Sequence, residues 1–215
     1  MVRFFEFLVI ILSSLVFHEL GHAYLADRFG DDTSRNEGRL TLNPLKHLSL
    51  VGSLIVPLVV GFLTGFFIGW AKPVIVNPEN FRQEWKKYGF SLVALAGPSV
   101  NLIIAFVASL IYHLLPLSTG STLVSSFLLM VVFINIVLCV FNLIPFPPLD
   151  GFNVFYPLFS ENFKHFIYSN FLFLIFMLFF LVWPLVGPPV FNIMGHLFTY
   201  LTGVDFSVMM ALVQS

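Results

Sequence analysis

The chain has 215 residues, enough for one domain, with 58% apolar residues, 10% charged residues and a formal net charge of −1. A soluble domain carries roughly a quarter of its residues as charges, so this composition excludes a water-soluble globule and points to the lipid bilayer as solvent. The absence of a basic block excludes a nucleic-acid surface, and the single Cys139 excludes an intrachain disulfide.

A spanning helix needs about 20 largely apolar residues. Residues 4–26 are the first such stretch, carrying Glu6 and then a polar cluster late in its length. The run leads into ionisable residues rather than a small-residue cleavage site, so the segment is expected to remain in the mature protein. Residues 28–46 hold most of the loop charge, and Gly38-Arg-Leu-Thr-Leu42 alternates like a short strand. Residues 50–70 are apolar but interrupted by Gly52, Pro57, Gly61, Gly65 and Gly69. Charge returns over residues 72–87, where Pro73-Val-Ile-Val76 reads as a second strand.

From residue 88 to residue 149 there is no charged side chain. Pro116-Leu-Ser-Thr-Gly-Ser121 divides this run into two spans, and Pro145-Phe-Pro-Pro148 ends the second. After Lys164 an uncharged run reaches Val204, with residues 183–189 as a break, which predicts a fifth helix and a short sixth. The expected architecture is an α-helical integral membrane protein with four to six membrane segments and a small β element. A core over residues 1–155 is followed by C-terminal membrane helices over 156–215.

His18-Glu19-Leu20-Gly21-His22 carries the chemistry. Residues four apart share a helix face, so both imidazoles can reach one metal ion. Glu19 lies beside the metal rather than under it, where it can take a proton from a water. An acidic residue at the centre of a membrane helix costs on the order of 2.5–3.5 kcal/mol on insertion scales, and a bound divalent cation would offset that cost. The competing reading is a polar cluster that bridges helices by hydrogen bonds.

A catalytic zinc takes three protein ligands and keeps one open position. Glu37, His47, His113, Asp150, Glu161 and His196 are candidates for the third. Asp150 stands out as the first charge after the uncharged run, directly behind a proline-stiffened turn that suits a precisely aimed ligand. Topology bears on this choice. If residues 50–70 crossed the bilayer, His22 and Asp150 would face opposite sides. If they dip in and return as a re-entrant loop, both meet on one side together with every Lys and Arg except Arg3, a side the positive-inside rule makes cytoplasmic. The glycines and proline in 50–70 suit such a loop buried in protein.

Five motifs resemble the site-2 protease family of intramembrane metalloproteases, above all its compact prokaryotic members. They are His18-Glu-Leu-Gly-His22, Gly38-Arg-Leu-Thr-Leu-Asn-Pro44, Gly69-Trp-Ala-Lys-Pro-Val74, Ala96-Gly-Pro-Ser-Val-Asn101 and Phe141-Asn-Leu-Ile-Pro-Phe-Pro-Pro-Leu-Asp-Gly151. They occur in the family's order over residues 1–155, and no motif is matched over 165–215. The chain departs from the pattern at Ser49, where the family has an acidic residue.

The resemblance implies one zinc per chain held by His18, His22 and Asp150, with Glu19 activating water. It also implies that Asn101 and Asn142 face the site to hold substrate backbone or a developing oxyanion. The expected partner is a membrane protein with a transmembrane segment, and the expected place is the inner membrane, with the active site toward the cytoplasm. Two other classes compete: a metal transporter using the same ligands, and a catalytically idle binding protein. The first predicts a continuous polar pathway, whereas the ionisable residues cluster on one side. The second does not need Glu19.

Overall fold

A computed structural model of the chain describes residues 2–47, 49, 72, 74–115 and 122–214. Lipid offers no partner for backbone N–H and C=O groups, so a long apolar run must satisfy them within itself as a helix. Among the described residues four helices meet that description, over Phe5–Phe29, Gly89–Leu114, Leu123–Asn142 and Phe171–Thr202, and they make the chain an α-helical membrane protein. In chain order the helices are α1 (Val2–Phe29), α2 (Thr33–Asn36), α3 (Gly89–Leu114), α4 (Thr122–Asn142), α5 (Asp150–Asn153), α6 (Glu161–Ser169), α7 (Phe171–Thr202) and α8 (Phe206–Gln214).

Helix α3 packs against both α1 and α4, and α7 lies against α4. The apolar core sits between them, around Val132 and Ile136 of α4, Ala105 of α3, Phe198 of α7 and Met209 of α8, each fully buried. A smaller cluster fastens the loop ahead of α3 to the end of α1: Phe29 stacks on Trp85 with ring centroids 4.1 Å apart, and Phe81 meets Phe29 edge-on. Beside it, the fully buried carboxylate of Asp31 accepts from the Thr33 backbone and hydroxyl, the Asn77 backbone and the Asn80 amide. Burial alone would push this carboxyl up, but the donors from Thr33, Asn77 and Asn80 outweigh it and hold the pKa below the usual value.

Two expectations need correction. The break expected at residues 183–189 does not end a helix: α7 runs through it, and no separate short sixth span forms over that stretch. Proline removes a helix hydrogen bond, and here a π-helical segment over Leu178–Val182 precedes Pro184, with Pro188 and Pro189 carried inside the helix that follows. Such a π segment lets the ladder shift register without breaking.

The small β element is likewise not formed, since there is no strand among the described residues. Residues 38–42 follow a turn and bends. Residues 74–76 are extended but pair with side chains rather than with a strand: the Val74 N–H donates to Glu19 Oε2 at 3.1 Å, and the Ser34 hydroxyl donates to the Ile75 carbonyl. The described part of that pattern, residues 74–76, is therefore an extended segment anchored on α1 and α2, and residue 73 lies outside the described residues. The re-entrant loop expected over 50–70 lies outside the described residues.

Candidate functional site

Helix α1 presents its polar residues as a stripe. Ser14, His18 and His22 recur every four residues, and all three are buried although the helix is otherwise apolar. Close packing against α3 exploits the small residues there. A Cβ on Gly21 would lie 2.9 Å from Val100, and a Cβ on Gly97 would lie only 2.3 Å from His22 Nε2 and 2.7 Å from His18 Nε2. Gly97 thus clears the space directly over both imidazoles.

Asp150 arrives from the end of α4. After Asn142 the chain turns tightly, with the Phe146 N–H donating to the Ile144 carbonyl and the Leu149 N–H to the Phe146 carbonyl. Asp150 then opens the short α5. Gly151 lets this turn fold back onto α4, because a Cβ there would stand 2.2 Å from the Leu143 carbonyl oxygen. The result brings Asp150 Oδ2 to 3.0 Å from His18 Nε2 and 3.3 Å from His22 Nε2, while the two Nε2 atoms are 3.1 Å apart.

Hydrogen bonds behind the rings set their tautomers. His22 Nδ1 lies 2.7 Å from the Val93 carbonyl of α3, which can only accept, so Nδ1 carries the proton. His18 Nδ1 lies 2.6 Å from Asn101 Oδ1 and donates likewise. Both Nε2 atoms therefore turn bare lone pairs toward Asp150 Oδ2, a buried oxygen with no hydrogen-bond partner. Three electron-rich atoms converge on one point. Burial pushes the Asp150 carboxyl up, and positive charge on the His22 side would pull it well below the usual range. With both Nδ1 protons committed, that charge is either one more proton on the Nε2 face or a cation among the three atoms. A tetrahedral ion with bonds of about 2.0–2.1 Å spaces its ligands about 3.3 Å apart, close to the triangle formed here. Among the described residues, this is the one group of three such side chains that could hold a metal.

Glu19 lies beside the triad and lines, with His22 and Asp150, a cavity of about 350 Å³. Its other walls are mainly apolar: Val74–Val76 on one side, Phe90, Val93 and Ala94 of α3 on another, and Phe152, Tyr156, Phe171 and Leu174 beyond. The Val74 N–H holds Glu19 Oε2 at the cavity's edge.

The other third-ligand candidates lie elsewhere in pairings of their own. Glu37 faces Arg39, His47 Nε2 donates to the Thr41 carbonyl, His113 Nε2 donates to the Leu201 carbonyl, Glu161 pairs with Lys164, and His196 is exposed. Asn101 is completely buried behind His18 rather than facing the cavity, its Oδ1 accepting from His18 and its amide donating to Asn135. Asn142 is half-buried, donates to the Leu138 carbonyl of its own helix and does not line the cavity.

Sequence reasoning passed over Gly97, Val93, Ser14 and Asn135. Helical spacing could have found two of them. Ser14 lies one turn before His18, and Asn135 lies two turns before Asn142.

The model of peptidase family M50 matches residues 117–183, a stretch that includes Asp150 and extends past the motif ending at Gly151. "Putative zinc metalloprotease YwhC" of Bacillus subtilis is 41% identical over 152 residues, 68% of this chain and 65% of that protein. "Putative zinc metalloprotease Rip2" of Mycolicibacterium smegmatis is 36% identical over 152 residues, and that of Mycobacterium tuberculosis is 34% identical over 148; each match covers 68% of this chain and 54% of the relative. The matched part thus spans less than two thirds of each relative's length. No solved structure matches the chain significantly. An HExxH pair, an aspartate brought to it from the end of a distant helix, and this agreement in sequence together support placing the chain in peptidase family M50, the site-2 protease family.

Proposed function

We propose that the protein is an intramembrane metalloprotease that hydrolyses peptide bonds of membrane-spanning substrates. The observation that carries this reading is the triangle of His18 Nε2, His22 Nε2 and Asp150 Oδ2, whose edges of 3.0–3.3 Å suit one tetrahedral ion and leave a fourth position toward the cavity. The donor set of two imidazoles and a carboxylate fits zinc, one per chain, as do the names of the relatives. Zinc bound there supplies Lewis acidity that polarises a carbonyl and brings the pKa of a water toward 7.

Glu19 is the general base. It takes a proton from the attacking water as the water oxygen bonds to the substrate's carbonyl carbon. As the C–N bond breaks, it returns that proton to the leaving nitrogen. The Val74 N–H holds one Glu19 oxygen in place for this transfer. Asn142 stands at the end of α4, where a small rearrangement would bring its amide to a substrate backbone. Asn101 acts on His18 rather than on substrate. A helical substrate keeps its carbonyls in hydrogen bonds, so it must unwind before cleavage, and the extended run Val74–Val76 on the cavity wall offers an edge for the unwound backbone. Val74→Pro removes the anchoring N–H and is expected to abolish cleavage; intact cleavage would remove residues 74–76 from this account.

The catalytic core lies within residues 1–155, covered by the helices of residues 156–215. The cluster of basic residues beside the site orients it toward the cytoplasm of the inner membrane. The deciding experiment is metal content in detergent-purified protein. About one zinc per chain in the wild type, lost in His22→Ala and Asp150→Ala, supports the reading; no metal in zinc-supplemented wild type would falsify it.

A further inference from the structure

Asn135 belongs to none of the five motifs, yet it sits in α4 with no exposed surface, among apolar neighbours, 34 residues away in sequence from the asparagine it touches. A buried amide is costly unless fully paired, and this one is paired at both ends. Its Nδ2 lies 2.9 Å from the Val131 carbonyl and 2.9 Å from Ser14 Oγ, and its Oδ1 accepts from Asn101 Nδ2 at 2.9 Å. Asn101 Nδ2 also reaches toward the Ser14 carbonyl at 3.4 Å. Asn101 Oδ1 in turn accepts from His18 Nδ1 at 2.6 Å.

The direction of every bond in this chain follows from its first member. The Val131 carbonyl can only accept, so the atom facing it must be the Asn135 NH2 group. Asn135 therefore turns its oxygen to Asn101. Asn101 must then turn its NH2 group to Asn135 and its oxygen to His18. His18 is left to carry its proton on Nδ1, with the lone pair on Nε2.

We infer that Asn135 is a positioning residue that, through Asn101, transmits the polarity of the Val131 carbonyl to His18 and fixes it in the tautomer that can ligate a metal. This rests on the metal reading of His18, His22 and Asp150 proposed above. Without the acceptor at 135, only the longer contact to the Ser14 carbonyl at 3.4 Å holds the Asn101 NH2 group, and the amide can turn to offer that group to His18 Nδ1. His18 would then hold its proton on Nε2, where a ligand needs a lone pair. His22 has no such dependence, because its Nδ1 donates directly to a backbone carbonyl.

Asn135→Leu and Asn135→Asp separate this role from simple packing. Leucine matches the volume but removes the acceptor. Aspartic acid, buried and protonated, keeps an acceptor for Asn101 and a donor for Val131 or Ser14. The first readout is the histidine tautomer in metal-free, detergent-purified full-length protein labelled with 15N-histidine. The wild type and Asn135→Asp are expected to show His18 Nδ1 protonated, whether or not Nε2 also holds a proton, and Asn135→Leu to show a population in which Nδ1 is bare, while His22 Nδ1 stays protonated in all three. The second readout is zinc affinity by chelator competition. Loss of a group that orients a ligand typically costs 10–100-fold, and that loss is expected for Asn135→Leu but not for Asn135→Asp. If Asn135→Leu does not fold, Asn135→Ala, which also removes the acceptor for Asn101, is expected to shift the His18 tautomer in the same direction. Wild-type tautomer and affinity in Asn135→Leu, or in Asn135→Ala where the leucine variant is unfolded, would overturn the inference and leave the metal site standing. A wild type that binds no zinc while His18 keeps Nδ1 protonated would overturn the metal reading instead.

Discussion

In α1, α3 and α4 between 33% and 39% of the most apolar stretch is buried inside the protein, whereas in α7 the share is 17%. The two regions have similar hydropathy and spend it differently. Helix α7 turns Phe173, Phe180, Leu185 and Tyr200 outward, each more than half exposed by protein contacts alone. In lipid such side chains need no protein partner. The α1–α3–α4 knot instead buries small and polar residues: Ser14, His18, Glu19, His22, Asn101 and Asn135. Lipid tails are as apolar as any core, so helices in a membrane associate through close packing and interhelical hydrogen bonds rather than through hydrophobic burial. In this chain the polar, tightly packed region is also the one that holds the candidate site, and the greasy region is its envelope.

Substitutions should break the two regions unequally. The largest effect is expected at Asp150→Ala, which removes a ligand of the triangle: bound zinc falls from about one per chain to near zero, read by elemental analysis, and cleavage of a model transmembrane substrate stops. Glu19→Gln comes next. Losing a general base typically costs 10²–10⁴ in rate, so proteolysis should drop by that factor with zinc content unchanged; loss of zinc as well would make Glu19 a ligand rather than a base.

Gly97→Ala tests the clearance over the imidazoles. Its Cβ would stand 2.3 Å from His22 Nε2, and displacing a ligand by this much is expected to weaken zinc about 10–100-fold, in the range seen when ligand orientation is lost. Unchanged affinity would mean that α3 can shift away from α1 without cost.

Outside the bilayer, Asp31→Ala strips the acceptor from donors of Thr33, Asn77 and Asn80. Leaving buried donors unpaired costs about 1–3 kcal/mol, measurable by denaturant unfolding in detergent. The pH dependence has a definite sign. The folded pKa of Asp31 lies below its ordinary value of 3.8, so the stabilisation is complete above 3.8 and is lost as pH falls through the folded value. The gap between wild type and Asp31→Ala should therefore narrow below that pH and stay constant above it. The smallest effect is expected in the envelope. Phe180→Ala, on the outward face of α7, should change stability by less than about 0.5 kcal/mol and leave zinc binding alone; a large effect would mean that α7 packs against protein rather than lipid on that face.

The spans of α1, α3 and α4 were legible in the sequence to within a few residues, because a largely apolar run of this length has one structure open to it in lipid. So were the HExxH pair, since helical spacing alone puts both imidazoles on one face, and the candidacy of Asp150 behind its prolines. Other features were misread for identifiable reasons. The prolines of α7 read as a break, but a π segment absorbs them. The alternation at residues 73–76 read as a strand, but over the described residues 74–76 the backbone is paired to side chains of α1 and α2. Asn101 read as a group facing substrate, whereas it faces the back of His18.

The sequence by itself determined that the chain is helical, that lipid is its solvent and that two histidines share one face of α1 with a glutamate beside them, because composition and periodicity act locally along the chain. Only the tertiary structure decided which carboxylate closes the triangle, that Gly97 clears it, and that the Val131 carbonyl reaches His18 through two amides. Those features depend on distances between residues tens of positions apart and on the direction of each hydrogen bond, and neither is written in any single segment.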